Sequence, residues 1–527
     1  DCLKQKVLEK IDIKMNMGAV DMSLDILFIH TNASKKIYQD LSKDHSAFEP
    51  PIWAGMLANH CRNKNYKTEI LDCEVKRLDF EQSAKEINNI KPKIACFVVY
   101  GQQPSASSQN MEGATSTSKE LKKINKEIKT LFVGGHVAAL PKETLENETS
   151  IDFVALNEGV YAISNLLKVE DLNDETYLKK VKGIGFRNKE KKIFINEPQS
   201  IVPKKLLEKD LPGIAWDLLP NLSEYRTAGW HSWSNNSEKQ PFAALYTSLG
   251  CPYKCSFCMI NIINRTNHAD NISSQDSNMF RWWSPEFIIK QFDHIAAQGV
   301  KNVKIADELF VLNPNHFMKI CDLLIERNYG FNIWAYSRID TCKPEFLEKL
   351  KKAGVNWLGL GIENPDTVLR KEVHKDSYKE VKIIDVINSI RDSGINVAAN
   401  YIFGLPEDTE ESLKFTYSFA EETNSEMVNF YSAMAYPGSP LYLDAKKNGI
   451  ELPKTYSGYS QHSYDTQNLS TSKLSAAQIL KFRDDAWMKY HTNEKYLKLI
   501  NEKFGSRAVD NIKSTTKIKL KRKLLGD

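Results

Sequence analysis

Short apolar runs alternate with longer stretches whose apolar residues recur every three or four positions, and this alternation organises most of the chain. Between Leu24 and about Leu167, the runs DILFIH (25–30), YKTEILD (66–72), IACFVVY (94–100), KTLFVGG (129–135) and IDFVAL (151–156) predict five strands. Apolar strands separated by polar-faced helices predict a parallel sheet covered on both faces. That is a doubly wound, Rossmann-like α/β domain, which binds ligands beyond the carboxyl ends of its strands. The loops at those ends read HTNASK, YGQQPSASSQN, GGHVAAL and NEGV. Next, VKGIGFRNKEKKIFIN (181–196) predicts a hairpin turning on its charged middle. Trp230, His231 and Trp233 lie in a polar segment (216–240) and are expected to pack as loop residues on the domain that follows.

From Pro241 the alternation becomes more regular, with strands expected at 242–247, 302–307, 331–336, 356–362, 395–403 and 427–433. Ser284-Pro285 and Asn313-Pro314 predict capped helix starts. Asp408-Thr409-Glu410-Glu411 fits a capping box opened by Asp408. Six strand–helix units make a partial (β/α)6 barrel of the TIM type, whose active site belongs at the carboxyl ends of the strands. Amphipathic helices are expected from about Ser475 to a basic run, KIKLKRKLLGD, that reads as a solvated face rather than a nucleic-acid site. The expected division is an extension (1–22), a Rossmann-like domain (23–170), a linker with a hairpin (171–240), the barrel (241–455) and a helical C-terminal region (456–527).

Composition narrows the class. The 527 residues are 42% hydrophobic and 26% charged with a net charge of +4, so no strong field favours nucleic acid or a membrane surface. No apolar run approaches the roughly 18 residues of a membrane span. The first 22 residues lack the apolar block of a signal peptide, and a natural start at Met22 or an earlier Met is expected. Nine cysteines, three of them within eight residues, do not form a disulfide framework, which points to the reducing cytoplasm.

Those three lie in Gly250-Cys251-Pro252-Tyr253-Lys254-Cys255-Ser256-Phe257-Cys258, directly after the first barrel strand. One loop brings three thiolates to one side. A structural zinc site would need a fourth ligand, often from a second close pair, and the chain has no such pair. Three thiolates on a four-iron cluster instead leave one iron open for a ligand. The motif CxxxCxxC at this place resembles the radical S-adenosylmethionine (SAM) superfamily. RWWSPEFIIKQFDHI, VKIADELFVLN, GLGIENPDTVLRKEVHKD, NYIFGLPEDTEESL and YPGSPLY are similar, in order, to the motifs of its cobalamin-binding branch. FEPPIWAGMLANHCRNKNYKTEILD and VGGHVAALPKETL match in the amino-terminal half.

The resemblance implies a [4Fe–4S] cluster on Cys251, Cys255 and Cys258, SAM chelated to the open iron, and a 5′-deoxyadenosyl radical that abstracts hydrogen from a small-molecule substrate. An external electron donor such as flavodoxin or ferredoxin is implied as well. Carried over by position, Glu308 is the candidate partner of the SAM amino group, Ser337 and Arg338 of its ribose or carboxylate, Glu363 a further contact, and Phe257 the backbone that meets adenine. Each charged residue among them can equally be a loop-end ion pair.

For cobalamin the resemblance points to Gly134 and Gly135, which let backbone lie close to a ligand, and to His136, Asn157, Glu158 and Gly159 at strand ends. No Asp-x-His-x-x-Gly motif occurs, so cobalt is expected to carry no histidine; His30, His45 and His136 are the candidates that could intrude. Methylation of an unactivated carbon is the leading function, with a cobalamin-dependent rearrangement, cyclisation or oxidation as the alternative. A methylthiolase would need a second cluster on Cys61, Cys73 and Cys96, but Cys61 and Cys96 read as small hydrophobes in a helix and a strand. A non-catalytic cobalamin protein would not need the cysteine triad. The insert at 263–283 follows the cysteine loop, where it can cover the site or remain a surface loop.

Overall fold

The computed structural model describes residues 24–101, 103, 105–235, 238–267, 272–375 and 382–527, so the extension 1–22 lies outside the described residues. The amino-terminal half is built on parallel strands β1 (Ile26–His30), β2 (Thr68–Asp72), β3 (Ile94–Val98), β4 (Lys129–Val133) and β5 (Phe153–Ala155). Their order is β2-β1-β3-β4-β5, so the chain reverses its direction of travel between β1 and β3. Such a switch point opens a crevice at the strands' carboxyl ends. The hairpin β6 (Ile184–Arg187) and β7 (Ile193–Ile195) is not a free linker: β6 pairs antiparallel with β5 and extends the sheet to seven strands.

The barrel sheet begins with β8 (Phe242–Leu245), which is followed by a two-stranded ribbon, β9 (Ser248–Cys251) and β10 (Met279–Trp282). It continues with β11 (Asn302–Ile305), β12 (Asn332–Arg338), β13 (Val355–Glu363), β14 (Asn396–Phe403) and β15 (Met427–Ser432). The six strands run parallel in the order β8-β11-β12-β13-β14-β15. Three of four neighbouring strands start with asparagine and β13 carries one at its second residue, and these side chains form a ladder that ties the barrel floor. Asn332 Nδ2 donates to Asn302 Oδ1 (2.9 Å), Asn356 Nδ2 to Asn332 Oδ1 (3.0 Å), and Asn396 Nδ2 to the Asn356 carbonyl (3.1 Å). Trp230 caps this floor, edge-on to Trp334 and Trp357 at 4.7 and 4.9 Å, and His231 exchanges hydrogen bonds with the Asn332 backbone and side chain. Closing the amino end leaves the carboxyl end as the way in.

Ser284 and Asn313 cap their helices as the sequence predicts. The box at 408–411 shifts by one residue: Thr409 and Ser412 cap the helix Glu410–Thr423. Asp408 is drawn back instead to accept from the Gly404 and Leu405 amides, which holds the turn after β14. The helices Ala476–His491, Glu494–Phe504 and Ser506–Thr516 complete the chain, and the basic tail is partly docked rather than wholly solvated. Arg522 is 1% exposed and bonds Asp484 (2.8 Å) and the Ser463 carbonyl (3.0 Å). Among the described residues, no helix is long and apolar enough to cross a membrane.

Candidate active site at the domain junction

The cysteine loop hangs from β9, and its backbone is held by the insert that follows it. Gly250 has φ +84°, and a Cβ there would meet the Met279 carbonyl oxygen at 2.1 Å, so glycine alone lets β10 pair this closely. Asn261 bonds both the amide (3.2 Å) and the carbonyl (2.8 Å) of Cys251. Asn278 donates to the Pro252 and Tyr253 carbonyls, Gln275 to that of Lys254, and Ser274 to that of Cys258. The insert is therefore a brace for the loop. With the loop's carbonyls taken by side chains, its three thiols are left to face a cavity of about 620 Å³.

Burial pushes the Cys251 thiol up to about 12 and Cys258 well above the ordinary thiol range. These groups keep their protons until a metal's charge ionises them. Among the described residues, no three His, Cys, Asp or Glu side chains converge on a single ion. Three thiols on one cavity wall can each bind a different iron of a cluster.

Phe257, Glu308, Ser337, Arg338 and Glu363 line the same cavity as the cysteines. Asp307 accepts from the Thr247 amide (2.6 Å) and the Ser248 hydroxyl (2.6 Å), pinning the start of β9 and leaving Glu308 to the cavity. Burial, with the neighbouring Asp307 adding and Lys304 opposing, pushes the Glu308 carboxyl up to about 8. Such a group is ready to ionise beside a cation. Arg338 pairs with Asp340 (2.8 Å), lies 3.8 Å over the Tyr253 ring and reaches within 3.9 Å of Cys255 Sγ. Ser337 Oγ bonds the Arg338 carbonyl and Thr341. Glu363 has φ +64° at an irregularity of β13 and pairs with Lys375 over Gly361, whose missing side chain makes the room.

The six residues singled out in the amino-terminal domain do not line this cavity. Gly135, His136, Asn157 and Glu158 meet residues of the second half of the chain in the seam between the domains, whereas Gly134 and Gly159 pack within their own domain. A Cβ on Gly134 would meet the Val99 backbone at 2.7 Å, one on Gly135 the Met259 Cε at 2.6 Å, and one on Gly159 the Val133 Cγ2 at 2.5 Å. His136 is buried, bonded to Ser108 (2.9 Å) and edge-on to Tyr456, and burial lowers its pKa to about 4. Asn157 donates to the carbonyls of Gln199 and Arg265. Glu158 accepts from the Val202 amide and pairs with Arg281 of β10 at 2.7 Å, both side chains being at most 2% exposed.

The cavity wall from this domain comes instead from the loops HTNASK and YGQQPSASSQN at the β1/β3 switch point, through His30, Thr31, Tyr100, Gln103 and Ser105. Tyr100 is stacked on Trp53 (4.2 Å, 12°), and its buried hydroxyl finds no hydrogen-bond partner among the described residues. The amide acceptors on a corrin's rim would suit that hydroxyl. Gln461 and His462, from a polar segment with no signal in the sequence, complete the wall. Lys304 on β11 also lines it; a lone lysine within the apolar run NVKIAD was the available clue.

Residues 245–420 match the model of the radical SAM superfamily, and residues 46–167 that of the B12 binding domain. The chain belongs to the cobalamin-dependent radical SAM enzymes. Across 85% of this radical SAM chain and 89% of its own length, an uncharacterized methyltransferase of Pyrococcus horikoshii is 25% identical. The anaerobic magnesium-protoporphyrin IX monomethyl ester cyclase of Rubrivivax gelatinosus is 24% identical over 79% of the chain and 69% of its own length. In fold, the enzyme resembles the radical SAM methyltransferase TsrM of Kitasatospora setae, solved with cobalamin and a [4Fe–4S] cluster. The TM-score is 0.62 at 13% identity, covering 94% of this chain and 99% of that one. The cofactors of this cobalamin-dependent enzyme are a [4Fe–4S] cluster, SAM and cobalamin.

Proposed function

We propose that the enzyme transfers a methyl group to an unactivated carbon of a small-molecule substrate. One observation carries the reading: the cysteine loop and the switch-point crevice of the cobalamin domain open into a single cavity. The methyltransferase relative that spans nearly the whole chain supports methyl transfer over rearrangement or ring closure. When bound, the cluster with SAM supplies hydrogen-atom abstraction, and cobalamin supplies a transferable methyl group.

The chain's own residues provide the surroundings. Cys251, Cys255 and Cys258 hold the cluster; Glu308 receives the SAM ammonium, and Ser337, Arg338, Glu363 and the Phe257 backbone bind the rest of SAM. Arg338 places its guanidinium 3.9 Å from the Cys255 sulfur. Trp53, Tyr100 and the 456–468 segment enclose the cavity and keep water from the reacting carbon. Reducing equivalents come from an external donor of the flavodoxin or ferredoxin type in the cytoplasm.

Anaerobic turnover with a reductant should yield S-adenosylhomocysteine and 5′-deoxyadenosine together with a product heavier by one methylene. Formation of 5′-deoxyadenosine alone would overturn methyl transfer.

A further inference from the structure

Deeper in the barrel than the SAM-facing residues, the cavity holds a charge pair that neither cluster nor SAM requires. Lys304 stands four residues before Glu308 on β11, with its side chain 1% exposed. Its ammonium lies 3.4 and 3.2 Å from the two carboxylate oxygens of Glu49, which comes from the other domain, and 4.6 Å from the Trp334 ring. Burying the Lys304 ammonium beside a carboxylate that is itself 17% exposed costs free energy that their attraction must offset. The sheet does not need them, because the β8 residue in register with Lys304 is Ala244.

A third group has a defined need. The indole N–H of Trp334, the β12 residue in register with Lys304, is buried with no acceptor among the described residues. On the neighbouring strands, Gly359 and Ala398 face one another in register, and the Tyr336 ring and Trp334 indole lie over Gly359, where a Cβ would meet them at 2.7 and 3.3 Å.

We propose that Lys304, Trp334 and Glu49 form a clamp for the head group of an α-amino acid substrate, an assignment that rests on the methyl-transfer reading. The substrate carboxylate accepts from the Lys304 ammonium and the Trp334 indole, and the substrate ammonium donates to Glu49. A simple anion entering here meets the Glu49 charge, and a simple cation meets Lys304. Only a ligand bearing both signs a few ångströms apart replaces the internal pair on both sides.

The test is calorimetric titration of oxidised, SAM-saturated holoenzyme with the proteinogenic L-amino acids. Each binder is then compared with its carboxamide and its deaminated acid. At least one amino acid should bind, with either analogue weaker by about 10- to 100-fold, the worth of a charged hydrogen bond. Lys304→Met should erase the preference for acid over amide, and Glu49→Gln the preference for the amino group, with iron and cobalamin contents retained. The assignment is overturned if no amino acid binds or if the amide binds as well as the acid. It is equally overturned if either variant loses iron and cobalamin, which would make the pair a latch between the domains. S-adenosylhomocysteine formation on the same preparation judges methyl transfer separately. If it is absent while the binding pattern holds, the reading of the reaction fails and the clamp stands.

Discussion

Glu158→Ala tests whether the residues at the end of β5 hold the domains together or hold the cofactor. The substitution strands the Arg281 guanidinium, 1% exposed, with the Val202 carbonyl (2.6 Å) and Asn264 (3.2 Å) as its remaining partners among the described residues. It also leaves the Val202 amide without its acceptor. Breaking a buried ion pair from one side costs about 3–5 kcal/mol. With a urea m-value of about 3 kcal/mol per molar, the unfolding midpoint should fall by about 1 M or more. Tryptophan fluorescence against urea reads the midpoint, and absorbance of bound cobalamin reads the cofactor. Because Arg281 lies on β10, opposite Leu249 of β9, iron retention under chelator should weaken as well. The double variant Glu158→Leu with Arg281→Met removes both charges and should recover most of the lost stability. An unchanged midpoint with a sharp loss of cobalamin affinity would refute the seam role and return Glu158 to the cofactor.

Replacing Cys251, Cys255 or Cys258 with alanine should abolish iron binding and SAM cleavage, whereas Cys321→Ala, buried in the helix Pro314–Arg327, should keep both; iron assay and deoxyadenosine detection decide. Electron paramagnetic resonance of the cob(II) form should show no nitrogen superhyperfine splitting, since His136 is bonded to Ser108, His45 to Thr515, and His30 to Glu74. His462 is a histidine of the cavity wall outside that set, so a triplet pattern that vanishes in His462→Gln would disprove the expectation. Burial disfavours the charged His30, but Asp72 and Glu74 outweigh it and push its pKa up to about 9. A raised folded pKa stabilises fully below about 6.5 and is lost as pH rises through about 9, so stability should decline across that window. His30→Gln should flatten the decline in pH-dependent urea titrations, and an identical slope in the variant would remove His30 as its source.

The local pattern of the sequence was enough for the strands, their parallel arrangement and the cysteine loop, because each depends on residues adjacent along the chain. Short continuous apolar runs bounded by turns specify buried strands, and CxxxCxxC gathers its thiols within one loop. The residues aligned with Glu308, Ser337, Arg338 and Glu363 sit at strand ends, so the barrel topology brings them to one cavity with the cysteines. Which loops of the first domain face that cavity was decided only in three dimensions. Strand order β2-β1-β3 puts the switch point at His30 and Tyr100, while β4 and β5 end in the seam, where Glu158 meets an arginine 123 residues away. The brace from 274–282 and the Lys304–Glu49 pair, 255 residues apart, likewise leave no periodic or motif signal. Long-range pairing reflects how the packed faces of two domains meet, and no window along the chain contains both sides of that contact.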